Sequence, residues 1–384
     1  MAKWWKIKRE LNRLGRQIGH IPVVIYEVFL AARYYDYILS RDRQIFDGQQ
    51  MPSSKSAIYL IFPQFGVLKS HVRTLRYLID KGRSVTVVCN APISPEDREM
   101  LLHHCERLIQ RPNFGYDFGG YRDGILAYQA RLAEMDQLIL LNDSVWFPIT
   151  DDIDWLDQVD QLDRDMVGAV SNYGIDSQPA EKFRDLEFDY RTERKGFHYC
   201  SFALAFGSNV LRDRSFLRFW KWFPLSNDKR KTIRRGELGL SAWALRKGYS
   251  HASTLNVTNL HAKLADLDTE RLLQVATNLM IPEDIQLSRL KKQLLPVLET
   301  LSREELISFI LTGVTRQGTG YALPEFTVIE EKFPFLKKSP LWLHPEASRI
   351  SLSILERLKT PASKEALEEA KEYLQPKLRT SAKP

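Results

Sequence analysis

RPNFGYDFGGY, residues 111–121, is the stretch on which the reading of this chain turns. Gly115, Gly119 and Gly120 permit positive φ or a close backbone approach. Phe114, Tyr116, Phe118 and Tyr121 offer ring faces for stacking. Asn113 and Asp117 are polar anchors among them, and Asp117 stands just before a helical segment that it can cap. The stretch is not G-x-G-x-x-G and does not follow the first strand, so a dinucleotide-binding fold is disfavoured. Two readings stand side by side: the wall of a ligand pocket, or a capped helix start with its aromatics in the core.

Outward from this loop the chain alternates strands and helices. AIYLIF (57–62), SVTVVCN (84–90), ERLIQR (106–111), DQLILLN (136–142), MVGAVSN (166–172) and YCSFALAF (199–206) read as strands. Helices are expected over about 67–81, from Pro95 with Ser94 as its cap, and from the glycine-aromatic loop to about 135. This alternation predicts an α/β fold, a mainly parallel sheet with helices on both faces. Ligands of such sheets bind beyond the carboxyl ends of the strands. The second unusual stretch, LILLNDSVWFP (138–148), lies at that edge too, with Asn142, Asp143 and Ser144 at a strand mouth. Carboxylates there hold a divalent cation that neutralises a leaving diphosphate. Only Asp143 is a carboxylate, and the bland reading is an Asx turn.

The flanks differ from this centre. In residues 1–20, Trp4, Ile7, Leu11, Leu14 and Ile18 follow the rhythm of one helix face, and lysines and arginines fill the rest. Such a basic amphipathic helix suits an anionic membrane surface or packing on its own domain. Residues 21–39 carry Glu27, Arg33 and Asp36, which argues against a membrane span. A polar linker at 49–56 and a change of pattern near 260 divide the chain into a helical N-terminal region (1–50), an α/β domain (51–260) and a mainly helical region (261–384). The net charge of +7 suits anionic partners, but no nucleic-acid module is present, so nucleic acid is excluded as a partner. Three dispersed cysteines support neither a disulfide framework nor a zinc ribbon. The absence of a signal peptide leads to an expectation of a cytoplasmic protein, peripheral on the membrane if residues 1–20 bind it.

Taken together, R-x-N-x-GYDFGGY, one helix and LLNDS-x-x-x-P resemble the rhamnan synthesis protein F family of bacterial polysaccharide glycosyltransferases. The resemblance runs over roughly 57–260 and includes HYCSFALAFGSNVLRDRSFLRFW (198–220) and GELGLSAWALRKGY (236–249). It implies a GT-A-like fold, a nucleotide-sugar donor, and transfer to a lipid-linked or polysaccharide acceptor, with rhamnose or another deoxysugar as the sugar moved. By the same resemblance, Phe62, Gln64 and Asn90 border the nucleobase. Asn113, Gly115, Tyr116 and Asp117 line the nucleotide sugar. Asn142, Asp143 and Ser144 take the place of the acidic metal motif, so Mg²⁺ or Mn²⁺ on Asp143 and metal-free neutralisation by Lys or Arg both stay open. Glu237, at the start of a helix, is the expected base of an inverting transfer. Trp146 and His198 are expected at the acceptor or the donor phosphate. For Trp146 the competing reading is a core aromatic, for His198 a surface histidine, and for Glu237 an acid interacting with the helix dipole.

A second function class is a binding or scaffold protein that keeps the fold without catalysis, suggested by the depleted acidic triplet. A nucleotidyltransferase is a poorer fit. FPQFGVLKSH (62–71) lacks the glycine- and lysine-rich loop such enzymes place after the first strand.

Overall fold

The computed structural model describes residues 30–175 and 178–375. The basic segment 1–20, and the chain end beyond 375, lie outside the described residues. Among the described residues there are twelve strands: β1 (Gln44–Asp47), β2 (Lys55–Ile61), β3 (Ser84–Cys89), β4 (Arg107–Gln110), β5 (Gln137–Asn142) and β6 (Val145–Trp146) in the first half. β7 (Met166–Gly168), β8 (Ser171–Asn172), β9 (His198–Tyr199), β10 (Ala203–Gly207), β11 (His251–Ser253) and β12 (Leu336–Lys337) follow. Eight of them form one sheet in the order β1-β4-β3-β2-β5-β10-β7-β11. β2, β3, β4 and β5 run parallel, and β10 runs antiparallel between β5 and β7. The expected α/β class is observed, as a mixed sheet flanked by helices.

The central strands are apolar along their length because both faces are covered. β3 is buried throughout, and β2 is buried from Ser56 to Ile61. Alternate side chains of β2 face opposite ways. Tyr59 meets His71 of the helix Lys69–Asp80 on one face. On the other face, Ile58 and Leu60 meet Gly124 and Gly120 of the helix Tyr116–Ala127. A Cβ on Gly120 would stand 2.4 Å from Leu60 Cδ1, and one on Gly124 2.8 Å from Ile58 Cγ2. The glycine spacing in GGYRDG therefore lets this helix lie close against β2.

Three features differ from a reading of the elements one by one. MVGAVSN and YCSFALAF each divide: Met166–Gly168 and Ala203–Gly207 join the large sheet, while β8 and β9 pair with each other. Residues 44–47, part of the sequence-assigned N-terminal region, form an edge strand antiparallel to β4. The third concerns the C-terminal region. Its helices build two apolar clusters that also take in Ala180 and Phe183, and Trp146 and Ile149, and β12 pairs with β6 beside the Asn142–Ser144 loop. The helix Pro361–Tyr373 also clasps the helix Lys69–Asp80: Arg73 pairs with Glu365 at 2.6 Å, and Glu369 Oε1 accepts from Ser70 N at 2.8 Å. Among the described residues, no helix is long and apolar enough to cross a membrane.

Candidate active site

β2 and β5 are adjacent and parallel, and Leu60 pairs with Asn142 at their carboxyl ends. The chain leaves β2 for β3 on one side and returns to β5 on the other, so the sheet order reverses here. In such sheets ligands bind at this reversal. Asp143 sits in it. Its N–H donates to Leu60 O at 3.0 Å, and its Oδ2 accepts from Phe62 N at 2.7 Å. His71 Nε2 lies 3.2 Å from the same oxygen. Since His71 Nδ1 accepts from Leu68 N, the neutral ring carries its proton on Nε2, facing the carboxylate. Burial works to raise the Asp143 pKa, but His71, the Lys338 charge and the Phe62 N–H outweigh it and hold the carboxylate below its ordinary value.

Asp117 approaches from the helix Tyr116–Ala127. It does not cap that helix. Gly115, at φ +80°, is the N-cap, and Asp117 Oδ2 accepts from Asn142 Nδ2 at 3.1 Å instead. Its carboxyl is pushed up to about 6. Burial is the main cause; Lys337 opposes it, Asp143 and Glu237 add to it, and Lys229 opposes it again.

Glu237 completes the group. The helix begins at Lys229, not at Glu237, and Glu237 rides on a π-helical turn, Arg234–Leu238. Such turns recur at functional sites. Oε1 accepts from Ser201 N and Ser201 Oγ, both at 2.8 Å. Oε2 is left facing His198 Nε2 at 3.8 Å. The glycine-aromatic loop helps fix this geometry. Tyr121 donates to Ser201 O at 2.8 Å, and the Phe118 ring lies where a Cβ on Gly236 would fall, 2.2 Å away. The side chains of Asp143 and Glu237 keep 18% and 14% of their exposure, so the group opens to solvent. A cavity of about 420 Å³ lies elsewhere, at the amino edge of the sheet around Asp136, Asp160 and Asp165.

The other candidates divide. Phe62, Gln64, Asn113 and Tyr116 stand exposed around the carboxyl edge. Gly115 is buried, with its N–H on Asn227 Oδ1 at 3.2 Å, and Tyr116 donates to Asn227 O at 3.0 Å. Asn90 is 6% exposed, and its Oδ1 accepts from Arg111 Nη1 at 2.7 Å. Trp146 is also turned inward. It is 1% exposed, packs in the C-terminal apolar cluster and donates to Glu369 at 2.9 Å, so it is a core aromatic. His198 is half-buried beside Glu237, and its Nδ1 bonds Gly196 O at 2.8 Å.

The residues that sequence reasoning missed are His71, Ser201, Lys337 and Lys338. Lys337 Nζ donates to Ser144 Oγ at 3.2 Å and lies 4.3 Å from the centre of the Phe202 ring. Lys338 Nζ reaches Ser70 Oγ at 3.3 Å beneath the site. The two adjacent lysines in FPFLKKSP, between prolines in an otherwise helical region, were the available signal. They also bear on a metal. Among the described residues, no three His, Cys, Asp or Glu side chains are grouped to hold one. Asp143 is surrounded by His71 and Lys338 where further acids would be needed. The donor set does not fit a protein-built cation cage.

The chain is 38% identical over 237 residues to the uncharacterized protein y4gN of Sinorhizobium fredii (strain NBRC 101917 / NGR234). The match covers 62% of this chain but only 57% of the relative's length. Among solved structures, it is similar to galactosyltransferase LgtC in complex with donor and acceptor sugar analogues. There the identity is 14%, the TM-score is 0.31, and 56% of this chain and 81% of that chain are covered. It is also similar to core-mannan synthase A from Aspergillus fumigatus in its Mn/GDP form, at 9% identity and a TM-score of 0.26, over 46% and 66% of the two chains. The family model for rhamnan synthesis protein F matches residues 85–323. That span is more than half of the chain and carries Asp117, Asp143, Ser201 and Glu237 together, so the chain belongs to the rhamnan synthesis protein F family.

Proposed function

We propose that this protein is a glycosyltransferase that moves a sugar from a nucleotide-sugar donor to a growing surface polysaccharide or lipid-linked glycan, with inversion at the anomeric carbon. Family membership supports the reading. The observation that carries it is the meeting of Asp117, Asp143 and Glu237, distant in sequence, at the solvent-open reversal point of the sheet. The donor lies along Phe62, Gln64, Asn113 and Tyr116, with its sugar toward Asp117.

Glu237 is the base. Ser201 holds Oε1, so Oε2 points outward to receive a proton. It takes that proton from the acceptor hydroxyl as the hydroxyl oxygen attacks the anomeric carbon. The bond from that carbon to the diphosphate breaks, and its electron pair leaves with the diphosphate oxygen. His198 beside Oε2 orients the carboxylate or the acceptor. A deoxysugar such as rhamnose is the donor sugar we favour, as the family's name suggests. Residues 1–20 would bring the protein to the anionic inner face of the plasma membrane, where a lipid-linked acceptor is found.

The test is to incubate the purified protein with a panel of nucleotide sugars and follow nucleotide release and product formation. Glu237→Gln should lower turnover by roughly 10²–10⁴-fold while donor binding is kept. Full turnover in that variant removes Glu237 as base. A second reading is favoured by the substitution of Asn142 and Ser144 for acids and by the internal bonds of Asn142: a scaffold that binds without catalysis. Donor binding without turnover by the unaltered protein, across the panel, selects that reading.

A further inference from the structure

Asn142 and Ser144 are joined in a directed chain of hydrogen bonds. Lys337 Nζ donates to Ser144 Oγ at 3.2 Å, Ser144 Oγ donates to Asn142 Oδ1 at 2.6 Å, and Asn142 Nδ2 donates to Asp117 Oδ2 at 3.1 Å. The chain runs from an ammonium to a carboxylate through the two neutral residues that stand where acids were expected. We propose that Lys337 supplies the positive charge that receives the donor's diphosphate, replacing a metal ion at this strand mouth. The proposal rests on the transferase reading above and names how that site meets its substrate.

Three observations support it. First, Lys337 is held by backbone pairing. β12 is antiparallel to β6 with Lys337 opposite Val145, and Lys338 N donates to Ser144 O at 3.0 Å. The ammonium is thus built into the Asn142–Ser144 loop, although Lys337 lies outside the span matched by the family model. Second, its bonded partner is neutral. Among the described residues, the polar group within hydrogen-bond reach of Lys337 Nζ is the Ser144 hydroxyl, not a carboxylate. Burial lowers its pKa, and Cys200, Glu237 and Asp117 only oppose that effect from a distance. A cation in this state gains from an arriving anion. Third, its neighbour is occupied otherwise. Lys338 is 5% exposed, bonded to Ser70 and within the fields of Asp143 and Glu369. The adjacent lysines therefore divide the work: Lys338 supports Asp143, and Lys337 faces the ligand.

In the transfer step, the electron pair of the broken anomeric bond collects on the departing diphosphate oxygen. A lysine ammonium answers that charge as a compact point donor. The proton of the acceptor hydroxyl goes to Glu237, so no co-reactant beyond donor and acceptor is needed.

The test is titration of the full chain with uridine, guanosine and thymidine diphosphates by calorimetry, in EDTA and then in Mn²⁺. Lys337→Gln keeps an amide donor for Ser144 and removes the charge; Lys337→Arg keeps the charge. Expected results are binding in EDTA that Mn²⁺ does not strengthen, a loss of roughly 10- to 100-fold in K337Q, and retention in K337R. Binding that requires Mn²⁺, or a K337Q affinity equal to that of the unaltered protein, overturns the proposal and leaves the transferase reading standing. No diphosphate binding in either condition overturns both. Should K337Q not fold, the EDTA and Mn²⁺ arms decide alone: tolerance of EDTA supports the proposal and a requirement for Mn²⁺ defeats it.

Discussion

Asp117 and Asp123 share the helix Tyr116–Ala127, and the protein treats their charges in opposite ways. Asp123 is 1% exposed and ringed by arginines, although among the described residues its Oδ1 accepts no hydrogen bond. Arg111 Nε donates to its Oδ2 at 2.8 Å, the Tyr35 hydroxyl donates to the same oxygen, and Arg43 and Arg122 stand at 3.8 Å and 4.0 Å. The same arginines tie down the surroundings. Arg111 Nη2 donates to Phe114 O at 2.7 Å, and Arg122 holds Asp36 with two bonds of 2.7 Å and 2.8 Å. Tyr35 stacks on Phe114. Asp117 accepts one hydrogen bond, from the Asn142 amide, and its cations, Lys337 and Lys229, act on it without pairing. A buried charge with all its partners in the chain is part of the fold. One whose partners are held apart is free to answer a ligand.

The largest effect expected on the matched side comes from Asp123→Asn. It leaves Arg111 buried without its carboxylate, and should lower stability by about 3–5 kcal/mol in urea denaturation. A loss under about 1 kcal/mol would break the contrast, since the network would then not be holding the loop. Next is Gly236→Ala, which joins the two sides. Its Cβ would meet the Phe118 ring at 2.2 Å, and that ring stacks against both Trp220 and Phe223. We expect a cost of about 1–3 kcal/mol and a fall in turnover larger than the fall in donor affinity, because the turn carrying Glu237 must shift. Unchanged kinetics would separate the Phe118 stack from the site.

The smallest effect, and the sharpest test, is on the pH dependence of stability. A carboxyl at about 6 in the folded state binds more protons than its unfolded counterpart between about pH 4 and pH 6. Stability from Asp117 is therefore greatest at the acid end of that window and declines as pH rises through it. Asp117→Asn should remove this slope and leave the protein no less stable at neutral pH, where Asp123→Asn is damaging. Urea midpoints of the two variants on either side of the window measure this; an unaltered slope in Asp117→Asn would place the raised carboxyl elsewhere.

Much of the frame was legible in residues read locally. DQLILLN and SVTVVCN are apolar runs of strand length, and Ser94 before Pro95 is a helix cap whose hydroxyl accepts from Asp97 N at 3.0 Å. The strand ends placed Asp143 at the edge of the sheet, and GYDFGGY marked a helix packed unusually close. Other features were hidden because they depend on partners far along the chain. Nothing local told that MVGAVSN would divide between two sheets, since the pairing of β8 with β9 is long-range. Trp146 read equally well as a stacking platform and as a core residue; Glu369 decided it, 223 positions away. Asp117 had the position of a cap, but Gly115 took that place and Asn142 claimed the carboxylate.

By itself the sequence determined the alternation of elements, the family and the edge of the sheet at which chemistry would be sought. These follow from hydrophobic period, turn residues and motif spacing, which neighbouring residues carry among themselves. Tertiary structure alone decided which charges keep company there. It brought Lys337 to Ser144 across 193 residues and left Glu237 Oε2 open while closing Oε1 on Ser201. The reason is that burial and Coulomb fields are set by distance in space, and a chain's pattern of residue types does not record that distance until the sheet and the C-terminal region have packed.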